Sequence, residues 1–279
     1  MIHFILNPNA GTNSPQKRVR IIETLKAIPN VRVWQTERMN QATELAQKAI
    51  SEGATKIIAI GGDGTINEVA SALVGRNVPL GIIPLGSGNG LARHLNLPLS
   101  FHQALERALN GTEIRIDVGK WNDRYFFCTA GIGFDAYVAA HFASRGKRGF
   151  LNYLYSTFVS LSSYKAIEIS GKGNLFSLTV ANANQFGNNA YISPQSDLQD
   201  GYLESIEIKS GSLWSLANLG ISLFRKKLHL HPLVAISSIK NSYIQTTKGI
   251  PYHLDGESLL LESGAIAISI LPSSLCVVK

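Results

Sequence analysis

Apolar residues along this chain fall into two rhythms. From Met1 to about Asn110, short apolar runs alternate with stretches in which apolar side chains recur every three or four positions. HFILN, VRVWQ, KIIAI and LGIIP read as strands. Lys17–Ile28, Ala42–Ser51, Thr65–Val74 and FHQALERAL read as helices, the first carrying Ile21, Ile22, Leu25 and Ile28 on one face. Gly53, Gly75 and Gly111 follow helical runs, and Ser100 stands where an N-cap is needed. Nearly continuous apolar strands separated by helices predict a parallel sheet covered on both faces.

After Gly111 the pattern changes to alternation. EIRIDVGKW and RYFFCTAG flank Asn122-Asp123, and AIEIS and LFSLTVAN flank GKGN, so both pairs read as hairpins. LVAISSI, SYIQTT, GESLLLE and AIAISIL add strands, with helices expected near Phe134–Ser163 and Leu213–Phe224. This predicts a second, antiparallel, β-rich domain. The division falls at residues 1–115 and 116–271, with about 272–279 returning to the first domain.

Composition narrows the classes. At 45 % hydrophobic and 16 % charged residues the chain buries a substantial core. A net charge of +7 and a pI near 9.4 suit phosphorylated ligands, anionic lipid surfaces or polyanions. No zinc, helix-turn-helix or ribonucleoprotein motif is recognisable, which argues against nucleic acid. Cys128 and Cys276 have no metal or disulfide spacing, so a reducing compartment is expected, with Cys128 in the core. A strand beginning at Ile2 leaves no room for a secretory leader. Gly149–Tyr164 and Gly211–Phe224 are too short or too polar to span a bilayer, which takes about 20 apolar residues. The seven scattered histidines read as surface or packing residues.

Candidate chemistry lies where strands end. GGDGT (Gly61–Thr65) follows the third strand and opens a helix, PLGSGNGLAR (Pro84–Arg93) follows the fourth, and NPNAG (Asn7–Gly11) follows the first. Glycines let backbone N–H groups approach phosphate oxygens, and a helix N-terminus favours an anion. Ligands of open parallel sheets bind at these strand ends. Asp63 in such a place implies a cation, which a magnesium nucleotide supplies. Ser87 and Asn89 offer donors, with Arg93 one turn beyond Asn89. Lys17, Arg18 and Arg20 read most simply as a solvated helix face. Neither a Walker A loop nor a GxGxxG fingerprint occurs.

GGDGTINE, NPNAG and PLGSGNGLAR, together with SPQSDLQDGYLE (Ser193–Glu204) and HLDGES (His253–Ser258), resemble the motifs of the diacylglycerol kinase catalytic family in the family's order. The family includes bacterial soluble lipid kinases and sphingosine kinases. The resemblance implies a three-layer α/β nucleotide-binding domain, of the kind in NAD kinases and phosphofructokinases, followed by a β-sandwich that carries an acceptor lipid. It implies ATP and magnesium as cofactors. Asp255 would be the general base, with Glu257 assisting. Asn7, Thr36, Gly61, Gly62, Asp63, Gly64, Thr65, Ile66, Asn67, Gly86, Ser87, Asn89 and Arg93 would line the ATP site. Asp197, Asp200 and the backbone of Tyr202 would hold a structural metal, and Asp117 would join Asp63 in a water network around the catalytic one.

One departure concerns the acceptor. Where bacterial members read GTxND, this chain has Gly86-Ser87-Gly88-Asn89-Gly90; serine keeps the hydroxyl, as in sphingosine kinases, and Gly90 replaces an acid. The alternatives are an NAD kinase-like enzyme and a regulatory protein that binds nucleotide or lipid without turnover. Trp214–Lys227 joins apolar residues to Arg225, Lys226 and Lys227, which fits transient contact of a cytoplasmic protein with an anionic membrane, or a packed helix with a basic tail. Sandwich edges allow a homodimer.

Overall fold

A computed structural model describes residues 1–11, 15–144 and 150–279; Gly149 lies outside the described residues. The chain divides into two compact units, one of residues 1–116 with 273–279 and one of residues 117–272.

In the first unit β1 (Ile2–Leu6), α1 (Pro15–Lys26), β2 (Val31–Gln35), α2 (Gln41–Ser51), β3 (Lys56–Gly61), α3 (Asp63–Leu73), β4 (Leu80–Pro84), α4 (Gly90–His94) and α5 (Phe101–Asn110) alternate. Strand β1 lies between β2 and β3, β3 pairs with β4, and all run parallel. The chain's last strand returns beside β4 through Val277 and Leu80. Phe4, Leu6, Ile58, Ile60 and Ile83 share a core with Ile21 and Leu25 of α1 and with Ala104, Leu105 and Ala108 of α5. The residues between them on the strands, Ile5, Ile57, Ala59 and Ile82, project to the opposite face and are equally buried. Both faces are therefore covered, as unbroken apolar strands require. Pro15 opens α1, where a missing N–H costs nothing. Gly53 turns left-handed after α2 at φ 77°. Ser100 occupies the N-cap of α5 but accepts no side-chain capping bond.

Strand β5 (Glu113–Trp121) leads into the second unit, with β6 (Arg124–Phe126), β7 (Thr129–Gly133), α6 (Phe134–Ser144), α7 (Phe150–Ser163), β8 (Ile167–Ile169), β9 (Gly173–Ala181), β10 (Leu203–Lys209), α8 (Leu213–Phe224), β11 (Val234–Ile239), β12 (Asn241–Gln245), β13 (Pro251–Leu254), β14 (Glu257–Leu260) and β15 (Ala265–Val278). Asn122, at φ 51°, makes the β5–β6 hairpin turn. One antiparallel sheet runs β11-β10-β9-β7-β13-β14, with β8 on β9. The β5–β6 hairpin, β12 and the first half of β15 form the opposing layer. Trp121, Phe126, Ile132, Val180, Leu254, Ile266 and Ile268 fill the space between them, and Tyr252 stacks on Trp121 at 6.0 Å. The second domain is thus an antiparallel sandwich. Two strands lie outside the sequence reading: β10, which carries Glu204, Glu207 and Lys209, and β13, four residues that open on Pro251. Among the described residues no helix is long and apolar enough to cross a membrane.

Candidate functional site

Three loops at the carboxyl ends of β1, β3 and β4 are tied to one another. Asn7 ends β1: its N–H donates to the Ile60 carbonyl (2.9 Å) and its side-chain amide to the Thr65 hydroxyl (3.0 Å). Its own Oδ1 accepts from the Asn9 N–H at 2.9 Å, which shapes the NPNAG turn. The Leu85 N–H donates to the Gly61 carbonyl at 2.7 Å, aligning the loops after β3 and β4.

Asp63 supplies the main brace. It is the first residue of α3, yet its carboxylate reaches the next loop: Oδ2 accepts from the Asn89 N–H (2.8 Å) and Oδ1 from the Gly90 N–H (2.7 Å). One acid therefore caps α4 and locks two glycine loops together. Gly62 and Gly86 permit this closeness; a Cβ on Gly86 would stand 2.7 Å from the Gly62 Cα and 2.8 Å from Asn89 Oδ1. These two glycines serve loop against loop. Gly64 differs, because a Cβ there would meet nothing within 4 Å. In α3 the first N–H satisfied within the helix is that of Ile66, by the Gly62 carbonyl at 3.1 Å. The open side at Gly64 thus adjoins a helix N-terminus, whose partial positive charge attracts anions.

The remaining candidates divide by role. Asn89, at φ 52° and 5 % exposed, bonds both ways with the Gly86 backbone, so its side chain shapes the loop. Arg93 Nε donates to the Gly88 carbonyl at 3.0 Å. Ser87 is exposed at the loop tip. Ile66 is buried, the Asn67 side-chain oxygen Oδ1 accepts from the Ser71 hydroxyl, and buried Thr36, just past β2, donates its N–H to the carbonyl of Leu6, the last residue of β1.

In the second unit Asp255 sits in the turn between β13 and β14 at φ 49°. Its Oδ1 accepts from the N–H groups of Cys128 (2.7 Å) and Thr129 (3.0 Å), and its Oδ2 from that of Phe127 (2.9 Å). Three backbone donors fix this carboxylate. Glu257 is exposed and opens β14. Asp117 is buried; its Oδ2 accepts from the Gly201 N–H (2.7 Å) and its own N–H donates to Leu198 (2.6 Å), so it holds the SPQSDLQDGYLE loop. On that loop Asp197 and Asp200 are exposed, each accepting the N–H two residues on, from Gln199 (3.0 Å) and Tyr202 (2.8 Å). Asp63 belongs to the first unit and Asp117 to the second. Among the described residues no three His, Cys, Asp or Glu side chains gather as a metal site.

The sequence pattern missed one polar group. Asp135, in the first turn of α6, accepts from the Ser177 hydroxyl (2.9 Å) and the Thr179 hydroxyl (2.6 Å), and its Oδ2 lies 3.0 Å from His253 Nε2. Burial would raise its carboxyl, but the attraction of His253 and the hydrogen bonds with His253, Thr179 and Ser177 outweigh that and hold it below the ordinary range. Burial, aided by the Asp135 charge, pushes the Tyr164 phenol well up. His253 is 2 % exposed and paired, not a surface residue. The available signal was strand alternation: Tyr252 and Leu254 enter the core, so His253 faces the other way. Beside this cluster a half-open, mainly apolar pocket of about 270 Å³ is lined by Gly133, Tyr137, Tyr164, Ile167, Ile250 and Pro251, with Ser163 and Lys165 also on its wall.

Comparison with known proteins bears on the two-part fold. Residues 1–121 match the family described as diacylglycerol kinase catalytic domain, and residues 128–279 match the YegS C-terminal NAD kinase beta sandwich-like domain. Diacylglycerol kinases of Staphylococcus aureus strains bovine RF122 / ET3-1 and MRSA252 are each 29 % identical over 269 residues, spanning 91 % of this chain and 85 % of the relative. Two solved structures from Bacillus anthracis str. Sterne share the fold. One has a TM-score of 0.79 at 21 % identity, covering all of this chain and 94 % of the other. The second, described as a diacylglycerol kinase, has a TM-score of 0.71 at 20 % identity and covers all of this chain and 96 % of the other. With both halves matched in order, the chain belongs to the diacylglycerol kinase family, with a catalytic domain followed by the YegS-type sandwich.

Proposed function

We propose that this protein uses ATP and magnesium to phosphorylate the hydroxyl group of a lipid, such as a diacylglycerol or a sphingoid base. The observation that carries the reading is the Asp63 brace, which locks two glycine loops beside a helix N-terminus left open at Gly64. Such a cradle suits a polyphosphate. It needs no side chain at Gly90, whose contribution is its N–H, so the glycine that departs from the family pattern is compatible with turnover.

In this reading the N–H groups at the start of α3 hold and orient the phosphates, with Ser87 at the neighbouring loop tip. Bound magnesium supplies neutralisation of the charge on the phosphate oxygens. Its donors here are hard oxygens, and one or two carboxylates plus phosphates and waters suffice for it, so a cluster of three acids is not required. Asp255 takes the hydroxyl proton as the acceptor oxygen bonds to the γ-phosphorus and the bond to the bridging oxygen breaks, releasing ADP. Glu257 assists at the turn. The apolar cavity lined by Tyr137, Tyr164 and Ile250 suits part of an acyl or alkyl chain.

The test is incubation with γ-labelled ATP, magnesium and a panel of diacylglycerols, sphingoid bases and related lipids, with products identified by mass. A labelled lipid is expected. No labelled lipid from any acceptor refutes the reading, and labelled NADP from NAD would assign the protein to the other enzyme class.

A further inference from the structure

Helix α8 carries apolar side chains on its outward side as well as on its packed side. Its twelve residues, LWSLANLGISLF, include no charge. On one side Leu216, Leu219 and Leu223 pack with Ile206, Ile208 and Leu228 on the sandwich. On the other side Leu213 (70 % exposed), Trp214 (87 %), Ile221 (53 %) and Phe224 (45 %) face outward, with exposed Ala217 among them. At about 100° per residue these five fall within one arc of roughly 100°, edged by Asn218 and Arg225. A surface helix ordinarily turns polar residues outward. This one does not, and its outer face is built for cover.

The flank shows what kind. Arg225, Lys226 and Lys227 follow the helix, all exposed, and no Asp or Glu occurs between Leu213 and Leu230. The loop is pinned: the Tyr191 N–H donates to the Leu223 carbonyl (3.0 Å), and the Lys226 ammonium lies 4.4 Å over the Tyr191 ring. Cations at a helix C-terminus also complement its dipole, which accounts for the charges but not for the apolar face. Leu230, 68 % exposed, extends that face past the cations. A second copy meeting this surface would offer the three cations no acid from its own α8. At about 18 Å the helix is too short to span a bilayer. Lying flat buries one side and leaves the cations at phosphate level.

We infer that the outward face of α8 docks the protein on an anionic bilayer, with Trp214, Ile221 and Phe224 in the headgroup–acyl boundary and Arg225, Lys226 and Lys227 on lipid phosphates. The inference is independent of the acceptor lipid and of the role of Asp255, so either can fail without the other.

The full chain, without ATP, is sedimented with phosphatidylcholine vesicles and with vesicles that also carry phosphatidylglycerol. Binding is expected to the anionic vesicles and to weaken as salt rises. Each cation near such a surface contributes about five-fold, so R225Q/K226Q/K227Q lowers partition by about 100-fold. W214S/I221S lowers it by about 100-fold through lost burial of two large side chains. W214S/I221S alters exposed positions and should melt like the wild type; R225Q/K226Q/K227Q also removes the Lys226–Tyr191 contact, so its partition is compared at a temperature where its melt shows it fully folded. Hydrogen exchange on the unaltered chain adds an independent readout, with vesicle-dependent protection expected in residues 213–230. The inference is overturned if wild type ignores anionic vesicles, if the variants bind as wild type does, or if protection appears only elsewhere. A solution dimer that W214S/I221S converts to monomer would instead assign the face to a second copy.

Discussion

Replacing Asp255 by asparagine tests two things at once, and the structure separates them. The carboxylate accepts three backbone N–H groups, from Phe127, Cys128 and Thr129, all belonging to buried residues. An asparagine has one carbonyl oxygen. Turned toward Cys128 and Thr129 it keeps two acceptances, but its NH2 then confronts the Phe127 N–H, donor against donor. A buried donor left without a partner costs about 1–3 kcal/mol, and the two retained bonds each weaken by about 1 kcal/mol on losing charge. The Asp255→Asn protein should therefore be less stable by about 3–5 kcal/mol. For a unit of this size that is a fall in Tm of about 6–20 °C. Urea and thermal unfolding measure it directly. If Asp255 also accepts the hydroxyl proton, kcat at a temperature where the variant is fully folded should fall by about 10²–10⁴-fold, beyond any loss of folded fraction. A variant that melts with wild type refutes the anchoring argument. One that unfolds earlier but turns over normally when folded makes Asp255 a structural clamp and removes it from the chemistry.

Further outcomes follow from the same geometry. Gly64→Ala should leave stability unchanged or raise it by up to about 1 kcal/mol through helix propensity, while the KM for ATP rises, because its Cβ enters only the open space. Gly86→Ala should lose about 1–3 kcal/mol by pushing the two loops apart, seen in thermal melts. Asp63→Ala removes two charge-assisted bonds and should weaken ATP binding by about ten-fold or more, ~1.4 kcal/mol, in titration calorimetry; unaltered affinity would refute the brace. The Asp135 carboxyl is held below its unfolded value near 3.8, so its contribution is present above that pH and is lost as pH falls through the lower folded value. Asp135→Asn should flatten the acid limb of the Tm-against-pH curve below about pH 4, whereas an unchanged slope would place the acid sensitivity elsewhere.

The division of labour between sequence and tertiary structure is visible residue by residue. Local pattern alone determined the two fold classes: unbroken apolar runs such as KIIAI need cover on both faces, and alternating runs such as AIAISIL need it on one. It also placed GGDGT and GSGNG at strand ends, since a strand, a glycine turn and a helix start are all short-range features. The roles inside those loops were not legible. Gly62 and Gly86 are spaced apart in sequence but lie so close that a Cβ on Gly86 would stand 2.7 Å from the Gly62 Cα, and the Asp63 carboxylate accepts from the N–H groups of Asn89 and Gly90. Asp255 and the amides of residues 127–129 lie more than a hundred positions apart, and Asp135 finds His253 only because β7 and β13 are neighbours in the sheet. Hydrogen bonds between backbone and a distant carboxylate leave no periodicity in the chain. Sequence determines which segments become strand, turn or helix; which acid meets which amide is settled only when the strands are set side by side.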